Sequence, residues 1–232
     1  MTATAAVPSA RAARAKQRGL DRRAFAILMP IGPLAIAIIR GILPYYTTDS
    51  NTVMAAKAAA HQGAEAAVIW LTFVAMLTLV PGVIALGLLA RRHAPRLGTT
   101  GLVLACAGFL SLFWSTVAGS DDVALGAAHI GIRPVTTGAL LTSMGKIVPI
   151  GLAANLFVLS HVLGLMLLGI ALWRGRAVPA WAGLLLAASQ ILYIVFAVIV
   201  PVHALDGLAW GLTTVGFAVA ALAFTRDQIT AS

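Results

Sequence analysis

Two sets of polar residues interrupt an otherwise apolar chain, and each could do chemistry. The first centres on His161, which lies in the middle of a long hydrophobic run, with Asn155 and Ser160 on the same run and Gln190 in the next. An ionisable group in such a place is costly, and it usually faces protein or a water-filled cavity. If the two runs are antiparallel helices, His161 and Gln190 reach a similar depth, and a hydrogen bond between them would satisfy both. That structural pairing is preferred here to the sharper reading, a substrate- or proton-binding site made by His161, Gln190 and Asn155.

The second set gathers where apolar runs begin or end: Arg40, Glu65 and Asp206, with His61, His129 and His203 on the adjoining segments. Carboxylates beside imidazoles can work as acid and base, with Glu65 and Asp206 as the pair and His61 assisting. The simpler reading is an Arg40–Glu65 ion pair at a membrane boundary. Acids that open helices also suit the helix dipole without any function. The histidine and carboxylate spacing matches no metal motif, so no metal is expected, and the single cysteine, Cys106, excludes a cysteine zinc site and an intrachain disulfide. A mid-bilayer haem with two axial histidines is disfavoured because His161 alone lies deep in a run, so no cofactor is expected. The chain has no phosphate-cradling glycine loop, nucleophile elbow or HExxH sequence.

The elements that would hold these residues follow from composition. The 232 residues are 60% hydrophobic and only 10% charged, against roughly 25% charged in a soluble domain. Apolar runs at 24–43, 66–90, 98–118, 148–173, 179–202 and 207–225 are each about the length that spans hydrocarbon. The pattern predicts an all-α integral membrane bundle of six transmembrane helices. The net charge of +9 would suggest nucleic acid in a soluble protein, but here the basic residues read as membrane flanks and no nucleic-acid partner is expected. Arg91, Arg92 and Arg96, then Arg174 and Arg176, then Arg226 share one side with the six basic residues of the first 23. Asp49, Glu65, Asp121, Asp122 and Asp206 fall on the other. The positive-inside rule then puts both termini in the cytoplasm and three loops outside.

Residues 1–23 read as a disordered basic cytoplasmic tail, 24–226 as the membrane domain and 227–232 as a short cytoplasmic tail. Arg22-Arg23 reads as anchoring rather than as an export signal. In the first outer loop Thr52 is expected to cap a short helix over 53–64, with Lys57, His61 and Glu65 along one face. The second outer loop, 119–147, reads as irregular or interfacial. The pairs Gly101/Ala105, Gly183/Ala187 and Gly207/Gly211 are candidate close helix contacts. Pro81-Gly82 is expected to bend the second span. All five tryptophans lie near predicted span ends and read as an aromatic belt. The stretches beginning at Gly87 and Gly101 recur 82 residues later at Gly169 and Gly183, which suggests a parallel repeat of helix hairpins, though apolar sequence produces such matches by chance.

Several segments together resemble a family of uncharacterised multi-pass membrane proteins of high-GC Gram-positive bacteria. They are Leu43-Pro44-Tyr45, Trp70-Leu71, Val80-Pro81-Gly82-Val83-Ile84-Ala85-Leu86, Arg92-His93-Ala94-Pro95-Arg96-Leu97, and Leu172-Trp173-Arg174 with Val178-Pro179-Ala180-Trp181-Ala182. The resemblance covers most of 24–226, implies a bacterial plasma membrane, and carries no activity with it. Read as a whole, the sequence favours a non-enzymatic membrane protein that binds or passes a small apolar or amphipathic molecule, or assists other membrane proteins. The alternative is an enzyme using Glu65 and Asp206 on a lipid-phase substrate at the outer leaflet. Oligomeric state is not legible.

Overall fold

The computed structural model describes residues 10–226, and every regular element among them is helical. Nine α-helices follow one another: α1 (Ala10–Ile42), α2 (Asn51–Ala60), α3 (Gln62–His93), α4 (Pro95–Leu112), α5 (Thr116–His129), α6 (Pro134–Gly145), α7 (Val148–Arg174), α8 (Ala180–Ile194) and α9 (His203–Arg226), with a π-helical turn, Val195–Ile199, between the last two. Six stretches are long and apolar enough to cross a membrane: Arg23–Ile42, Gln62–His93, Pro95–Leu112, Val148–Arg174, Ala180–Ile199 and His203–Arg226. The backbone is already helical from Ala10, inside the segment expected to be unstructured. Residues 1–9 and 227–232, parts of the two expected tails, lie outside the described residues.

The six long helices close into a ring in the order α1, α3, α4, α7, α8, α9, with α9 returning to α1. Its interior is filled by Met29, Leu86, Leu168, Leu186 and Phe217 among others, each fully or almost fully buried. Its outside is apolar as well: Trp70 is 71% exposed, and Phe73, Leu77, Leu159 and Leu222 are also exposed. So continuous an apolar exterior is sustainable only in a non-aqueous solvent.

Glycine decides how closely the ring packs. In lipid the hydrophobic effect does not pull helices together, so contact depends on small residues. Gly101, Ala105 and Gly108 of α4 meet the α7 backbone around His161 and Gly164, and a Cβ at Gly101 would stand 3.0 Å from the Gly164 carbonyl oxygen. Gly169 of α7 lies against Gly183 and Ala187 of α8 in the same way. Gly207 approaches Ala37 of α1, whereas Gly211 has open space beside it, so that third pair forms a contact at one member only. Pro81 lies inside the continuous helix α3, and Gly82 beside it lets α1 approach at Met29.

Lengths explain the ends. The 32 residues of α3 reach about 48 Å at ~1.5 Å per residue, well beyond a hydrocarbon core of ~30 Å. The 18 residues of α4 reach about 27 Å, so α4 stops at Leu112 and not at 118, and the chain turns at Phe113–Ser115, where the Ser115 hydroxyl donates to the Leu112 carbonyl at 2.9 Å. The segment expected to be irregular or interfacial, 119–147, is not irregular: it holds most of α5 and all of α6, and Pro134 starts α6 at its first position. Together with α2 they form a cap over one end of the ring, with a small core of its own that includes Tyr45, Met54, Val68 and Leu141. Ser50, not Thr52, caps α2: its hydroxyl accepts from the Val53 N–H at 3.4 Å. The helix breaks at His61, so Lys57, His61 and Glu65 do not share a face.

Candidate functional site

A cavity of about 390 Å³ opens where the cap meets the ring. All six ring helices and all three cap helices contribute to its wall, together with the π-turn. Its lining is mixed: Arg40, Tyr45, Tyr46, Asp49, Asn51 and Asp121 are polar, whereas Met76, Phe109, Phe157, Tyr193 and Trp210 give apolar and aromatic wall. A ligand site with this lining suits an amphipathic molecule, because a few polar groups fix one part of it while an apolar wall holds the rest.

Three charged arrangements organise the polar lining. Arg40, near the end of α1, binds Asp206 in the first turn of α9 through its Nε. The His203 Nδ1 donates to the Arg40 carbonyl at 3.1 Å, which pins α9 to α1. Lys57 binds Asp49 at 2.8 Å and lies 5.3 Å from the Tyr46 ring centre. Burial pushes the Asp49 carboxyl up, but the Lys57 ammonium and the Tyr46 N–H together outweigh it and hold it below the usual aspartate range. The third arrangement has no cation bonded within it: the Tyr45 hydroxyl donates to Asp121, whose carboxyl also lies against that of Glu65. Burial raises the Asp121 carboxyl above its ordinary value and the nearby Asp122 adds to this, while Tyr45, Glu65 and Arg40 oppose it. Burial, and then the charge of Asp121, keep the Tyr45 phenol protonated, as its role as donor requires.

The sequence-derived residues are distributed differently from expectation. Arg40 pairs with Asp206 rather than Glu65, because α1 packs directly on α9 and the cap draws Glu65 towards Asp121. Glu65 is fully buried, and no donor other than the Asp121 carboxyl reaches its oxygens. His61 is exposed, with Nδ1 3.0 Å from the Lys57 carbonyl. Glu65, Asp206 and His61 therefore turn to three different partners, and none of them lines the cavity.

His161 and Gln190 do not bond to each other. His161 Nδ1 donates to the Phe157 carbonyl one turn back, at 2.5 Å, which leaves Nε2 as an acceptor without a partner. The ring stacks on Phe157 (4.4 Å between centres) and lies parallel to Trp210 (6.0 Å), with Phe109 and Tyr193 on its flanks. Gln190 faces α9 instead, where its Nε2 donates to Ser189 Oγ and Thr213 Oγ1, both at 3.1 Å. α7 presents His161 towards α4 and α9 rings, while α8 turns Gln190 to α9. Asn155 is exposed and donates to the Gly151 carbonyl of its own helix at 2.9 Å. These three do not form one site.

Among the described residues no three His, Cys, Asp or Glu side chains converge as metal ligands would. The chain matches no protein-family model, no curated protein and no solved structure.

Three cavity residues escaped sequence reading. Trp210 is 3% exposed and belongs to the cavity floor, not to an interfacial belt, whereas Trp70, Trp114, Trp173 and Trp181 are exposed. Its spacing of four from Asp206 was the available signal, since it puts both on one face of α9. Tyr45 and Asp121 are 76 positions apart, and nothing local links them.

Proposed function

We propose that this protein is a non-enzymatic membrane protein of the bacterial plasma membrane that takes a small amphipathic molecule into the cavity beneath its cap. The observation that carries this reading is the cavity itself, lined by both polar and aromatic side chains and roofed by helices too short to span. Its volume falls within the range of ~300–1,000 Å³ common for small-molecule sites. Glu65, Asp206 and His61, on which the enzymatic alternative rests, do not line it, which favours binding or passage over catalysis.

The orientation we propose places both termini in the cytoplasm and the cap outside. Arg91, Arg92 and Arg96 flank the α3–α4 junction, and Arg174 and Arg176 follow α7. Gly175 lies beside His93, so these two basic turns share one end of the ring. Glu65, Asp121 and Asp206 occupy the other, which fits the positive-inside rule. The two glycines that open the proposed repeat, Gly87 and Gly169, each face the following helix of their own hairpin, as a parallel repeat would require.

Replacing Thr72 by Trp tests the reading, because Thr72 lines the cavity from α3. Organic extracts of the detergent-purified protein, compared by mass spectrometry, should contain an amphipathic species enriched with the wild type and lost from the variant. Identical extracts from two equally folded proteins would reject it.

A further inference from the structure

The charges around the cavity do not balance, and the imbalance names a ligand class. Arg40 is matched by Asp206, and Lys57 by Asp49. Glu65 and Asp121 are matched by neither. Both are buried, no donor outside the pair reaches Glu65, and Asp121 accepts from the neutral Tyr45 phenol besides its contact with Glu65. Two carboxyls in contact in such a place cannot both ionise; the pair holds one proton and one negative charge. Of the two, Asp121 lines the cavity, and Glu65 stands behind it. The remaining wall suits a cation as well: Tyr46, Tyr193, Phe157 and Trp210 all line it, and aromatic rings attract cations that carry little hydration.

Resting on the cavity reading above, we infer that the cavity accepts an amphipathic organic cation, whose positive charge seats beside Asp121 and displaces the proton shared by Asp121 and Glu65. A positive charge at Asp121 relieves the repulsion that kept the pair protonated, so both carboxyls ionise and the proton leaves to solvent. Binding and proton release are then linked: each favours the other by the same factor. Lowering the pH returns the proton and expels the cation, which is the coupling that an exchanger of cations for protons needs. The groups that set this balance are few. Tyr45 and Arg40 face Asp121 from the α1 side, Glu65 faces it from α3, and Asp122 lies next to it on α5. α2 supplies only Lys57, which is held by Asp49; α9 supplies Asp206 and His203, both held at Arg40, and α8 supplies Tyr193; α4, α6 and α7 present no titratable group at this end.

Two probes of the same shape and opposite charge decide the matter, tetraphenylphosphonium and tetraphenylborate. Each is titrated calorimetrically into the full chain in neutral detergent at pH 6 and pH 8, in buffers of different ionisation heat. The cation should bind at least about tenfold tighter than the anion, and its affinity should rise with pH by up to about tenfold per unit. The buffer dependence should report about one proton released per cation bound. Glu65→Gln should leave a cation site whose affinity no longer varies with pH, and Asp121→Asn should remove the preference for the cation. Should Asp121→Asn fail to fold, the wild-type comparison and Glu65→Gln still decide. Preference for the anion, or cation binding without pH dependence, overturns the inference; anion binding that Thr72→Trp abolishes would do so while sparing the cavity reading. Binding of neither probe overturns both.

Discussion

The seam between α4 and α7 and the cavity under the cap are made from opposite materials. The seam is closed by small residues: Gly101, Ala105 and Gly108 face Gly164 and the backbone on either side of it. The cavity is walled by large and polar ones, among them Tyr45, Arg40, Phe157 and Trp210. Between them lies His161, whose backbone closes the seam at Gly108 and whose ring underlies the aromatic floor. The difference shows what each part of a membrane bundle must supply. Where helices only need to adhere, removing side chains is enough, because lipid offers no hydrophobic drive and dispersion contacts must be made at close range. Where a bundle must hold something else, bulky residues keep the helices apart and the polar groups among them must find partners.

The largest test of this contrast is at the seam. Gly164→Leu would drive a side chain into the Ala105 backbone, which cannot move aside as a side-chain tip can. We expect a loss of at least ~3 kcal/mol, read as a collapse of monodisperse yield in detergent; a well-folded variant would mean the seam is looser than described. At the cavity, Arg40→Leu leaves Asp206 buried and unpaired, at a cost of about 3 kcal/mol. The double variant with Asp206→Leu should recover most of this, and failure to recover would show that the pair does more than neutralise itself.

A smaller effect distinguishes the cavity by its pH dependence. A buried acid whose folded value is raised binds more protons folded than unfolded, so stability falls as pH rises from the ordinary aspartate range upward. Thermal stability should therefore decline as pH rises above the ordinary aspartate range for the wild type, and decline less for Asp121→Asn. Equal slopes would remove Asp121 as the source. The smallest expected effect lies away from both regions. Ser189 and Thr213 hydroxyls meet at 2.8 Å between α8 and α9, and a double-mutant cycle with Ser189→Ala and Thr213→Val should give a coupling near ~0.6 kcal/mol. A coupling several times larger would make this network, rather than glycine packing, the main tie between those helices.

Sequence by itself determined the solvent of this protein and hence its elements. Six apolar runs and their basic flanks were legible because hydropathy along a chain reports directly on whether each stretch meets water or hydrocarbon. Gly101, Ala105 and Gly183 were legible as contact residues for a related reason, since small side chains are the usual means of close helix packing in lipid. The cap helices were only half legible: Pro134 marks the start of α6, but nothing in 119–147 has the periodicity of a buried helix face. Partner choice was not legible at all. Only the tertiary structure decided that Arg40 meets Asp206, that Asp121 meets Tyr45 and Glu65, that Gln190 turns from His161 towards Thr213, and that Trp210 faces inward while four other tryptophans face out. Those choices follow from the order of helices around the ring. That order is set by which small and polar surfaces fit one another across the membrane, a property of pairs of helices that no single run of residues contains.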